Sequence, residues 1–174
     1  MGEGDYDSTE FTTRREIVEG KRINESSVVM VQRMTAQDVN VAGNVHGGVI
    51  MKLIDEAAAT VAIRHARANA VTASVDRLDF HHPVFAGDLV TLKASLNLVG
   101  KSSMEVGVYV KSENLITGDS MHTASAYVTL VALDKNGKPT AVPPLILETE
   151  EEMQRNREAQ IRREIRLREK KAEE

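Results

Sequence analysis

From Gly47 onward the apolar residues fall at helical spacing, and this run constrains the fold more than any other part of the chain. Ile50, Leu53, Ile54, Ala57, Ala58, Val61 and His65 follow the i, i+3, i+4, i+7 pattern of one helix face. Alanines within that stripe imply close approach to a sheet, so the spacing predicts a central, mostly enclosed helix. After Asn69 the pattern changes to β. Val71–Phe80, Leu89–Val99, Met104–Leu115 and Ser120–Leu133 are rich in β-branched residues and often alternate. Their breaks carry turn chemistry at Ala86-Gly87-Asp88, Gly100-Lys101, Thr117-Gly118-Asp119 and Lys135-Asn136-Gly137. With a further strand at Ser26–Met34, the chain reads as an α+β domain whose antiparallel sheet curls around one long helix.

The flanks differ from this centre. Residues 1–20 are polar and read as a flexible lead-in, followed by a domain over residues 21–147. Residues 148–174 read as a separate charged helix, with Glu150, Glu151 and Glu152 first and Arg166, Arg168, Lys170 and Lys171 late, the order that complements a helix dipole. Its few apolar residues, Met153, Ile161, Ile165 and Leu167, are expected to dock one edge on the core or on a neighbouring subunit. The segment from 27 to 147 holds ten acids and ten bases, which leaves no basic stripe for nucleic acid, and stacking aromatics are scarce. No apolar run is long enough to span a membrane. Gly2, Glu3, Gly4 and Asp5 give no basic-then-apolar start, so no secretory signal is expected. The absence of cysteine excludes disulfides, thiolate catalysis and Cys-based zinc sites, and fits a reducing, cytoplasmic compartment.

Chemistry concentrates where the helix begins. Gly47-Gly48 at its mouth leaves unpaired backbone N–H groups open to another molecule, with no Cβ in the way and the positive end of the dipole behind them. Such donors suit an oxyanion or a polarised carbonyl. Asp55 follows Gly48 by seven residues, about 10 Å along the axis. Between Met51 and Ala59, its neighbours one turn away, it is expected to flank the apolar face and to serve as a base or nucleophile. The competing reading is a surface carboxylate, alone or paired with Arg64 or Arg77. Asn40 offers an amide that binds a carbonyl or a water at any pH, against the ordinary role of a loop asparagine as a turn former. Asn44 reads as a helix N-cap or loop anchor and His46 as a residue shaping the helix entry. His81-His82 points its rings to opposite faces of a strand and has no third ligand at suitable spacing, so no metal is expected.

Five blocks, in order, carry a family resemblance. They are Asn40 to Gly48, Met51 to Glu56, Val71 to Asp76, Lys101 to Val106 and Ser112 to Gly118, spread over about residues 24–150. Together they resemble the hotdog-fold acyl-CoA thioesterases, in the branch of the cytosolic long-chain (brain-type) acyl-CoA hydrolase. The resemblance implies a hotdog fold, hydrolysis of acyl-CoA to free acid and CoA, and sheets joined edge to edge in dimers, commonly as a trimer of dimers. It implies a site at the dimer interface, with Asp55 as the catalytic acid and Asn40 supplied by the other protomer. It also implies CoA contacts at Ala73, Ser74 and Val75 and at Ser102, Ser103 and Met104, where strand-edge backbone would pair with pantetheine amides. No cofactor is implied, the CoA thioester being the substrate. Two rivals share the fold: a non-enzymatic acyl-CoA sensor, which would need an output module, and a dehydratase of 3-hydroxyacyl thioesters.

Overall fold

The computed structural model describes residues 19–173. The elements in chain order are β1 (Lys21–Arg22), a 3-10 turn (Ile23–Glu25), β2 (Val28–Arg33), α1 (Gly47–Ala66), β3 (Asn69–Phe80), β4 (Leu89–Val99), β5 (Ser103–Glu113), β6 (Ser120–Leu133), β7 (Leu145–Ile146) and α2 (Glu150–Glu173). Each predicted strand and both predicted helices are present, and the ends of β4 and β6 fall where the alternation puts them. The lead-in predicted for residues 1–20 lies almost wholly outside the described residues.

The main sheet runs β2-β4-β5-β6-β3, antiparallel at every pairing. The hairpins β4-β5 and β5-β6 build its centre. At the β5-β6 turn, Gly118 takes φ 79° and donates its N–H to the Asn114 carbonyl, while the Asn114 side chain accepts from the amides of Ile116 and Thr117. The chain enters α1 from β2 and leaves it into β3, the two edges of the sheet, so the helix must cross the whole concave face. Ala57, Ala58, Val61 and Ala62 are fully buried there, against Val90, Leu92, Val106, Val110, Ala124 and Leu130. Burying Ile50 and Ile54 on the same face contributes about 1.5–3 kcal/mol each. Leu53, expected in the stripe, is only partly buried, and Ala62 takes its place.

Helix α2 lies on the opposite, convex face and departs from expectation in how it is held. Its start is a capping box, in which Thr149 Oγ1 accepts the Glu152 N–H and the Glu152 carboxylate accepts the N–H groups of Glu148 and Thr149. Of the apolar residues expected to dock it on the core or on a neighbouring subunit, Met153 is partly buried, whereas Ile161, Ile165 and Leu167 are exposed in the single chain and do not meet the core. Polar side chains face the sheet instead. Arg155 donates to Ser95 Oγ, Asn156 to the Asn97 carbonyl, and Arg162 to both oxygens of Glu105 while lying 3.7 Å over the Tyr127 ring. Ala159 is fully buried between them. The sheet's convex face presents hydrogen-bonding groups at these positions, and a buried carboxylate such as Glu105 requires a charged partner.

Candidate active site

The loop before α1 is built by short-range bonds. Asp38 accepts from the hydroxyl and the N–H of Thr35, and these bonds, the hydroxyl first, hold its carboxyl below the ordinary aspartate range. The Asp38 carbonyl then accepts the His46 N–H. His46 occupies the N-cap position, with an extended backbone and no side-chain cap. Asn44, read as N-cap or loop anchor, is the anchor: its N–H reaches Asn40 Oδ1 and its backbone bridges Phe85. Gly47 and Gly48 therefore open the helix with exposed backbone. A Cβ at Gly48 would meet nothing within 4 Å, whereas at Gly47 it would stand 3.5 Å from the Phe80 ring. Gly48 is therefore the more open of the two, while Gly47 lines a cleft beside Phe80.

Asn40 is half-buried, and its side-chain oxygen accepts the N–H groups of Ala42 and Asn44 at 2.9 and 3.2 Å. Both bonds use the oxygen, so the NH2 group is what the side chain has left to offer a ligand. The turn-forming role and the ligand-facing role thus fall on different atoms of one residue. Asn40 lines a cleft of about 410 Å³ with Gly47, Ile50, Phe80, His81 and Thr123.

Asp55 stands in a different cleft, of about 290 Å³, walled by Met51, Ile54, Val75 and Leu78. It flanks the apolar face as expected, but in the single chain it is exposed to water rather than turned inward. Neither arginine weighed as a partner is near it in bonding terms. Arg64 donates to the carbonyls of Ser27 and Glu25, and Arg77 pairs with Asp79. Its partner is Thr72, whose Oγ1 donates to Asp55 Oδ1 at 2.5 Å. Thr72 was missed in the sequence because it read only as one β-former among several. The available signal was its place near the start of the strand that follows the helix. One chain alone does not bring Asn40 and Asp55 into a common cleft.

The stretch of β3 after Thr72 is irregular. Thr72 pairs with Leu130, but Ser74 pairs with Thr129, and Val75 pairs with Val128 while Arg77 pairs with Tyr127. Ala73 and Asp76 are therefore bulge residues. Each shift moves the following side chains to the other face: Thr72 points to the helix side with Leu130, and Ser74 to the convex side. Ala73 and Val75 are exposed on this edge, where backbone is open to a peptide-like ligand. The second expected contact segment differs. Met104 lies in an interior strand, paired with Val99 and Leu130, and its side chain is in the core. The strand-edge argument does not hold for it, and Ser102 in the β4-β5 turn and Ser103 at the start of β5, both partly exposed, are the accessible part. His82 Nδ1 is bonded to the His122 carbonyl and the His81 ring packs on that of His122. Among the described residues no group of three or more His, Asp or Glu is arranged to hold a metal, and no helix is long and apolar enough to cross a membrane.

Comparison with known proteins places this architecture. Residues 42–118 match the model of the thioesterase superfamily. The chain is 44% identical over 138 residues to the uncharacterized acyl-CoA thioester hydrolase YkhA of Bacillus subtilis (strain 168), covering 79% of this chain and 80% of that one. It is 37% identical over 146 residues to the cytosolic acyl coenzyme A thioester hydrolase of Rattus norvegicus, covering 83% of this chain but only 38% of the rat protein. Among solved structures, an apo-hexameric acyl-CoA thioesterase superposes with TM-score 0.84 at 36% identity, over 87% of this chain and 97% of that one. The acyl-CoA hydrolase of Staphylococcus aureus, in complex with butyryl coenzyme A, coenzyme A and coenzyme A disulfide, gives 0.81 at 35%, over 88% and 93%. Three further structures of that enzyme carry single Asn, Asp and Thr to Ala changes, the three positions separated in that order by 15 and 17 residues. Asn40, Asp55 and Thr72 have the same order and the same separations. On a sequence match over 79% of its length and a fold match over 87%, this chain belongs to the thioesterase superfamily, among the hotdog-fold acyl-CoA thioesterases.

Proposed function

We propose that the chain hydrolyses acyl-CoA to free acid and CoA through Asp55, oriented by Thr72, with Asn40 contributed by the partner subunit. The observation that carries this reading is the Thr72–Asp55 hydrogen bond at the mouth of an apolar cleft, on residues spaced as in the variants made of the S. aureus enzyme. Donation from Thr72 occupies one carboxylate oxygen and leaves the other to act. As base, that oxygen takes a proton from water as the water oxygen attacks the thioester carbon. The oxyanion of the tetrahedral intermediate would be met by backbone N–H at Gly47-Gly48 of the partner subunit, since Gly47 shares a cleft with Asn40. A donor of this kind is worth about 3–4 kcal/mol of barrier in other acyl transfers. Collapse breaks the C–S bond, and the proton held by Asp55 passes to the leaving CoA sulfur. Direct attack by Asp55 would instead form an acyl anhydride that water then opens.

Association of two chains is the step that would complete the site. Asn40 and Asp55 line separate clefts in one chain, and β3 is an open edge with Val71 and Val75 exposed on it. Pairing two such edges would shelter Asp55 from water and set a partner Asn40 NH2 toward the thioester. Self-association is supported by the hexameric relative, and a trimer of dimers is the arrangement proposed for it. The CoA arm would then run along Ala73, Ser74 and Val75 and toward Ser102 and Ser103. Similarity to the rat cytosolic hydrolase supports a cytoplasmic location. The domain is proposed to span residues 21–147, with 148–174 as an accessory helix.

Thiol release from acyl-CoAs of two to eighteen carbons tests the activity. Asp55→Ala is expected to lose about a thousandfold in kcat, roughly 4 kcal/mol of barrier. Retention of more than about a tenth of wild-type kcat would remove Asp55 from the chemistry. Inactive Asn40→Ala and Asp55→Ala chains mixed under subunit exchange are expected to regain activity, because one mixed interface carries both intact residues. Background activity after exchange is confirmed by mass would refute the shared site.

A further inference from the structure

Helix α2 reaches two of the irregular points of the sheet. In β4, Asn97 is left out of the pairing between Leu96↔Val106 and Leu98↔Glu105, and its carbonyl is taken by Asn156 of α2 at 2.8 Å. In β3, Asp76 is left out between Val75 and Arg77, and its carboxylate is taken by Arg166 of α2. A bulge residue forfeits its ladder bonds, so its position depends on whatever else holds it. The Asp76 side chain is only 14% exposed although its backbone lies on the open edge, and its other oxygen accepts Ser74 Oγ at 3.2 Å. One turn before Arg166, Arg162 is clamped by Glu105 and Tyr127, which fixes the end of the helix from which Arg166 extends.

We propose that Arg166 is a positioning residue for substrate binding: its ion pair with Asp76 pins the second bulge of β3 and so keeps Ser74 and Val75 in register to receive the CoA arm. This rests on the proposed thioesterase reading, in which that stretch meets CoA. The physical argument is register. Two bulges within five residues leave this stretch of β3 with few regular ladder bonds to β6, and a shift by one residue sends Ser74 and Val75 to the wrong faces. Thr72 lies before both bulges, paired with Leu130 and bonded to Asp55, so loss of the pin leaves the reacting groups in place. Binding weakens while chemistry persists.

The test uses the full chain with Arg166→Ala, Arg166→Lys, Asp76→Asn and, as control, Arg155→Ala, which removes a contact of α2 to Ser95 far from β3. Arg166→Ala and Asp76→Asn are expected to raise KM for acyl-CoA and Kd for CoA about tenfold, with kcat within about twofold of wild type. Arg166→Lys should recover part of the loss, and Arg155→Ala should leave KM unchanged. Amide exchange should quicken over residues 73–77 in Arg166→Ala and not in α1 or β5. Unchanged KM in Arg166→Ala, or an equal rise in Arg155→Ala, would overturn the proposal. If wild type releases no thiol from any acyl-CoA, the thioesterase reading fails, and the exchange measurement still reports whether Arg166 pins the strand.

Discussion

Helices α1 and α2, of 20 and 24 residues, pack against opposite faces of one sheet by opposite means. Helix α1 presents alanine, valine and isoleucine to the concave face and is held by close packing of apolar surface, with Asp55 on an exposed position. Helix α2 presents Arg155, Asn156, Arg162 and Arg166 to the convex face and turns Ile161, Ile165 and Leu167 outward. Apolar burial is non-directional and tolerates small shifts, whereas hydrogen-bonded charges fix the contact atom by atom. The first kind of contact makes a core. The second suits a helix that must meet particular points of an irregular sheet, and a docked helix face cannot be identified from hydrophobicity alone.

Breaking the polar side of this contrast should have the largest effect on stability. Arg162→Ala leaves Glu105, 2% exposed, in the convex face without its guanidinium, and is expected to cost about 3–5 kcal/mol in a urea titration. A loss below about 1 kcal/mol would show that α2 is held mainly by packing.

A smaller effect, dependent on pH, sharpens the contrast from the side of α1. His65 at its C-terminal end is fully buried, donates from Nε2 to the Pro143 carbonyl and has no partner at Nδ1. Burial, reinforced by the nearby Lys21 and opposed by the Pro143 bond, pushes its pKa below the ordinary value. The unfolded chain therefore takes up a proton that the native chain refuses. Stability from this group is whole above about pH 6.5 and is lost as pH falls from there through the lower native value. Thermal unfolding should show a decline in Tm across that window, flattened in His65→Gln. Identical profiles for the two proteins would mean that His65 does not contribute to the pH dependence.

The smallest change is expected on the outward stripe of α2. Ile161→Gln with Ile165→Gln should alter unfolding free energy by no more than about 0.5 kcal/mol, as for other exposed positions. A loss several times larger, together with a change in sedimentation, would show that another subunit covers this stripe.

The elements themselves were legible because each is a local pattern. Period 3.6 from Ile50 to His65 and alternation through β4 and β6 identify which residues turn toward the core, and Gly47-Gly48 and Asp55 stand out against that pattern. Thr72 did not stand out, since its role depends on meeting Asp55, 17 residues away, across the gap between helix and strand. Nor did the bulges at Ala73 and Asp76, which are mismatches between β3 and β6 and exist in neither strand alone.

By itself the sequence determined an α+β domain with one buried helix, an antiparallel sheet, a second charged helix, and a family whose chemistry requires a carboxylate near a helix start. Only the tertiary structure decided which face α2 uses, that Asp55 is open to water in a single chain, and that Arg166 reaches Asp76 across 90 residues of sequence. Periodicity reports how residues share one local face, and it is written in the order of the chain. Pairing of charges and strand register depend on distances set by the whole fold, which no local stretch of the chain contains.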